Sequence, residues 1–109
     1  MPEQRWIDIV CDTGKAAVAA WIFGPKRSLA VHRSWGGGGW TLTHVPTGMR
    51  LIHRVPTRQL TEQLRWAVSD LDWNFREKSA MPKSTKSETV RRIKAALRAR
   101  DTQSRALRR

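Results

Sequence analysis

WTLTHVPTGMRLIHRV, residues 40–55, decides the fold. Trp40–Val45 and Met49–Val55 flank Pro46-Thr47-Gly48. Proline second and glycine fourth suit a type I turn whose glycine takes the left-handed position of a three-residue hairpin loop. That loop pairs Val45 with Met49. In this register Thr43, Val45, Met49 and Leu51 share one face, while Trp40, Leu42, His44, Arg50, Ile52 and Arg54 share the other. A slip of one residue would regroup them.

Upstream of the hairpin, short strands alternate with turn chemistry. Arg5–Cys11 places Ile7, Ile9 and Cys11 on one face and ends at Asp12-Thr13-Gly14-Lys15. Ala17–Phe23 is an apolar run whose Trp21, Ile22 and Phe23 favour a strand over a helix. Gly24-Pro25 ends it, because proline fixes φ and removes a donor. Ser28–Trp35 is the third strand, with Leu29, Val31, Arg33 and Trp35 on one face, and Gly36–Gly39 breaks the pattern.

Downstream, Thr57 is placed to cap a helix running to about Trp73, with Leu60, Leu64, Ala67, Val68 and Leu71 at helical spacing. Residues 76–84 lack periodicity. Thr85 and Glu88 have the spacing of a capping box that starts a second helix. The expected fold is α+β: an antiparallel sheet of about five strands packed by one helix, plus a basic C-terminal helical arm. The expected units are a domain over 1–75, a linker over 76–84 and the arm over 85–109.

Charge follows the same division. The 109 residues carry 21 Lys and Arg against 9 Asp and Glu, a net charge of +12, and the isoelectric point is about 11.6. Residues 75–109 hold 12 of those cations and 3 of the acids, whereas all six Trp precede them. Such a charge is self-repulsive unless an anionic partner relieves it, and nucleic acid is the foremost such partner. Cys11 is the single cysteine, so an intramolecular disulfide and a thiolate zinc cluster are excluded. It lies beside Ile7 and Ile9 as packing material in a reducing compartment. The N-terminus does not have the pattern of a signal peptide, and no stretch is apolar enough to span a bilayer. A soluble, cytoplasmic protein is expected, with no cofactor, no membrane partner and no small-molecule substrate.

Two features carry the functional expectation. On the second helix Arg91, Lys94, Arg98 and Arg105 fall on one side, beside a narrow apolar stripe of Val90, Ile93 and Leu97. The cations suit phosphates and the stripe suits a protein surface; a plain solvated tail and a lipid-adsorbed helix are the alternatives. The second feature is Trp35-Gly36-Gly37-Gly38-Gly39-Trp40. Its tryptophans either stack on unpaired bases or belong to the core, and its glycines either admit a close backbone or merely connect strands. Arg33, Arg50 and Arg54 supply cations beside them, as a single-strand platform requires. The glycine run lacks the lysine and following helix of a phosphate-binding loop. His32, His44 and His53 sit on strands without a metal-binding spacing, and a histidine nuclease using His44 or His53 would need a carboxylate brought to it by the fold.

The expected function is therefore non-enzymatic nucleic-acid binding, chiefly through phosphates, with homo-oligomers open and DNA and RNA not distinguished. The rival is a small viral or mobile-element inhibitor that engages an acidic or nucleic-acid-binding surface of a host protein. In order of elements alone, the layout is similar to that of the single-stranded-DNA-binding PC4 and whirly proteins, and no residue role is carried over. On this division, removing residues 76–109 would leave a folded domain that binds poorly.

Overall fold

The computed structural model describes residues 3–11, 14–23 and 28–107, with side chains for 4–10, 14–22 and 28–100. Asp12 and Thr13 of the first expected turn, Gly24-Pro25 of the second, and the side chains of Cys11 and Arg105 lie outside that description. Five strands, β1 (Glu3–Cys11), β2 (Gly14–Phe23), β3 (Leu29–Arg33), β4 (Trp40–His44) and β5 (Met49–Val55), form one antiparallel sheet in sequential order. Helix α1 spans Arg58–Val68 and α2 spans Lys83–Leu107, so the layout is α+β.

Alternation along the strands gives the sheet two apolar faces. On one, Leu29, Val31, Leu42 and Val55 pack with Leu60, Leu64 and Val68 of α1, together with Trp73, Phe75 and Ile93. On the other, Ile7, Ile9, Ala20, Ile22 and Ala30 pack among themselves and against Val45. The second group is buried because the sheet curls. The Val10 N–H reaches the Gly48 carbonyl at 3.0 Å, joining β1 to the β4–β5 turn. Gly48 has φ +69°, and a Cβ there would lie 3.0 Å from the Asp8 carbonyl oxygen, so any other residue would be strained and would press on β1. Beyond that point β1 and β5 form no ladder, which leaves an open seam in a partly closed barrel.

The hairpin differs from its expected register. His44, not Val45, pairs with Met49, because the Gly48 N–H bonds both the His44 and Val45 carbonyls and draws Val45 into a four-residue turn. Further along, Thr43 pairs with Arg50, Leu42 with Ile52 and Trp40 with Val55. Two extra residues are therefore bulged out of β5: Leu51, and one of His53 and Arg54, which together oppose Thr41. Arg50 consequently shares the face of Thr43 rather than that of Trp40, which corrects the expected grouping.

Thr57 caps α1 as expected, its hydroxyl accepting from the Leu60 N–H at 3.1 Å. The helix ends at Val68 rather than near Trp73 because its last carbonyls find other donors. Trp73 Nε1 donates to the Val68 carbonyl at 2.8 Å, and Arg92 Nη1 donates to that of Ala67 at 3.2 Å. The stretch 76–84 contains a short 3-10 turn, Lys78–Ala80, and the start of α2. The capping box does not form. Thr85 lies inside α2 and donates to the Asp72 carbonyl, while Glu88 engages Arg91 and Arg92. The packed face of α2 is Thr85, Thr89 and Ile93, with Ala96 partly buried; Val90 and Leu97, expected in the apolar stripe, are exposed.

His32 and His44 are buried and serve the fold. His32 Nδ1 donates to the Arg33 carbonyl at 2.7 Å, so its Nε2 accepts from the Thr43 hydroxyl at 2.7 Å. His44 Nε2 donates to the Trp73 carbonyl at 2.8 Å, and its ring stacks on Phe75 with centroids 4.3 Å apart. Burial pushes both imidazoles below their ordinary value of 6.5, against the opposing pull of these carbonyl bonds. Each is a base whose folded pKa lies below its unfolded one. The stability it contributes is complete above about pH 6.5 and is lost as pH falls below it. Denaturant midpoints should thus be flat from pH 7 to 8 and decline toward pH 5, and His44→Gln should flatten that decline.

Candidate nucleic-acid interface

Two clefts meet at the glycine-loop end of the sheet. The first, of about 330 Å³, lies in the seam and is lined by β1 (Ile9, Val10), by Arg50, His53 and Arg54 of β5, and by His32, Ser34, Thr41 and Thr43. The second, of about 370 Å³, lies on the opposite side and includes Trp21, Arg33, Trp40, Gln4 and Ala19. Trp35, 58% exposed, lines both. Among the described residues no carboxylate lines either cleft.

Trp35 owes its position to the end of β3. The strand stops at Arg33, and Ser34 N–H bonds the Gly39 carbonyl at 2.9 Å, so 35–38 bulge into solvent. Gly36, Gly37 and Gly38 have positive φ with open space around them. Gly39 is different: at φ +103° a Cβ would sit 2.6 Å from the Val55 carbonyl oxygen. The run is therefore both a pliable tip and, at its last residue, a close approach to β5.

The sequence candidates divide between the two clefts. Arg33 lies over the Trp40 ring at 5.0 Å, on the side of the sheet that carries α1. Trp40 is half-buried and packs against the core beneath that helix. Arg50 and Arg54 stand in the seam, on the other side, with Trp35. Trp21 and Arg58 were missed. The Arg58 guanidinium lies 4.2 Å over the Trp21 ring and its Nε bonds Glu62 at 3.0 Å. The first turn of a capped helix packed on a sheet is a place to look for such a cation, but its aromatic partner depends on the crossing geometry.

The hydroxyl floor of the seam also escaped the sequence reading. Ser34 and Thr41 share a hydrogen bond of 2.8 Å, and the Arg54 N–H donates to Ser34 Oγ at 3.2 Å. Arg54 has φ 56°, and it is the one non-glycine residue with positive φ among those described. His44 has Thr47, Trp73 and Phe75 around it rather than a carboxylate. Among the described residues no group of three His, Cys, Asp or Glu side chains is placed to hold a metal ion, and no helix is long and apolar enough to cross a membrane.

On α2, Lys94 and Arg98 are exposed, whereas Arg91 is engaged by Glu88 at 2.6 Å. The Arg91 hydrogen bond holds the Glu88 carboxyl below the usual carboxylate range. Arg92 has a structural task, tying Glu88 and Asp70 to the end of α1. Comparison of the chain with protein-family models, with curated proteins and with solved structures finds no match.

Proposed function

We propose that this protein binds single-stranded nucleic acid, without catalysing a reaction on it, at the glycine-loop end of the sheet and in a reducing cytoplasm. The observation that carries the reading is Trp35: an exposed indole held between two clefts that, among the described residues, are lined by arginines and by no carboxylate. A large apolar ring kept in water on a looped-out segment costs solvation, and base stacking recovers it. Arg33, Arg50 and Arg54 supply phosphate contacts around it. Lys94 and Arg98 of α2 add charge that attracts a strand and does not distinguish its sequence.

Titration with single- and double-stranded oligonucleotides at about 50 and 200 mM salt tests this, since phosphate contacts release counterions. Single strands should bind more tightly, with affinity falling as salt rises. Equal affinity for duplex, or indifference to salt, would defeat the proposal. If no oligonucleotide binds, the basic surface is left to an acidic protein partner. Lys94→Ala and Arg98→Ala should each lower the log–log salt slope by about one unit. Arg91→Ala should lower it less, because a phosphate must first displace Glu88 from that guanidinium.

A further inference from the structure

We infer that the seam cleft between β1 and β5 is a nucleotide pocket, taking the phosphate of one nucleotide unit at Arg50 and Arg54 and its base against the hydroxyl floor. This deepens the single-strand reading and rests on it only for the source of the nucleotide. The space, about 330 Å³, is at the lower end of small-molecule sites. It is closed at one end by the Val10–Gly48 hydrogen bond and bordered at the other by Trp35 and Arg54.

The hydrogen-bond inventory of the floor selects the ligand. His32 donates through Nδ1 to a carbonyl, so the fully buried Thr43 spends its proton on His32 Nε2 and both groups are satisfied within the protein. Ser34 and Thr41 donate one to the other, leaving one further hydroxyl proton for a ligand. A neutral floor whose only free donor is one hydroxyl of the Ser34–Thr41 pair does not suit an anion. It suits a group with both amine and carbonyl or ring-nitrogen edges, as a nucleobase has. The rim, with Arg50 and Arg54, suits an anion. A ligand neutral and polar at one end, anionic at the other and flat enough to lie against Trp35 is a nucleotide.

The backbone supplies an independent observation. At the β5 bulge, Arg54 occupies the left-handed region where glycine is the ordinary residue. Its N–H is held by Ser34 Oγ at 3.2 Å, and the backbone of the glycine loop passes so close that a Cβ on residue 39 would lie 3.1 Å from the Arg54 Cα. A strained conformation held by its surroundings and carrying a cation into a cleft is a mark of a binding position. Glycine would fit this bend with less strain, yet the residue that bears the strain carries a guanidinium.

Isothermal titration of the whole chain with adenosine 5′-monophosphate, adenosine, ribose 5-phosphate and inorganic phosphate tests the pocket. The monophosphate should bind at least tenfold more tightly than each of the other three and should compete with a single-stranded oligonucleotide. Arg54→Gly should weaken the monophosphate at least tenfold while leaving the melting temperature equal or higher, and Arg50→Gln should weaken it similarly. Ribose 5-phosphate binding as tightly as the nucleotide, or Arg54→Gly binding as well as the parent, would overturn the inference. If oligonucleotides bind but the monophosphate neither binds nor competes, the pocket fails and the single-strand reading stands. If the monophosphate binds and oligonucleotides do not, the pocket stands and that reading fails.

Discussion

A chain ending at Pro82 will lose its cooperative fold. Ile93, 8% exposed, belongs to the core formed by the sheet and α1, and burial of such a side chain stabilises by roughly 1.5–3 kcal/mol. Thr85 and Thr89 are buried beside it, and the Thr85 hydroxyl satisfies the Asp72 carbonyl at 3.1 Å. Arg92 supplies a donor to the end of α1 at Ala67, where the helix has no partner of its own. Each lost partner of a buried polar group costs about 1–3 kcal/mol. Together these losses approach the roughly 5–15 kcal/mol by which a domain is stable at all. Composition alone points the other way, because the C-terminal third is so basic that it reads as a separable arm. Circular dichroism and urea unfolding of the truncated chain decide the matter: a sharp transition with the parent midpoint would show that α2 is dispensable. Ending the chain after Arg100 keeps every buried residue of α2 among those described, and should leave the parent transition in place.

Strand order and the capped start of α1 were legible because local chemistry determines them: Ile7 and Ile9 alternate, and Thr57 stands before an amphipathic run. The β4–β5 register was not. Pro46-Thr47-Gly48 marks a turn but does not say whether three or four residues form it, and that choice moves Arg50 from the side of Trp40 to the seam. The bulge at Arg54 was invisible for a related reason, since the glycine that ordinarily advertises a left-handed position is absent. On α2 the periodicity of Val90, Ile93 and Leu97 was real, but the helix turns Thr85 and Thr89 inward instead, the Thr85 hydroxyl satisfying the Asp72 carbonyl and that of Thr89 the Thr85 carbonyl one turn back. Of the candidate site, the glycine-loop tryptophans and the strand arginines were readable as residue types, while their grouping, the Trp21–Arg58 pair and the hydroxyl floor depended on contacts between strands and helices far apart in sequence.

That grouping separates the two tryptophans of the glycine loop by experiment. Trp40→Ala should destabilise the protein by about 2 kcal/mol, less than the roughly 3–5 kcal/mol of a fully buried tryptophan, because Trp40 is only half-buried against the core and shares its face with Arg33. Trp35→Ala should leave stability within about 0.5 kcal/mol, since its ring is mostly in water. The same change should weaken single-strand binding by about 1–3 kcal/mol, one to two powers of ten in affinity, with duplex binding less affected. Its salt slope should not move, because stacking releases no counterions, whereas loss of Arg50 or Arg54 should lower the slope. A Trp35→Ala protein that unfolds early would make the indole a core residue. One with parent stability and parent affinity would reduce recognition to charge. Only the combination of unchanged stability, unchanged slope and weakened single-strand affinity is what a stacking surface produces.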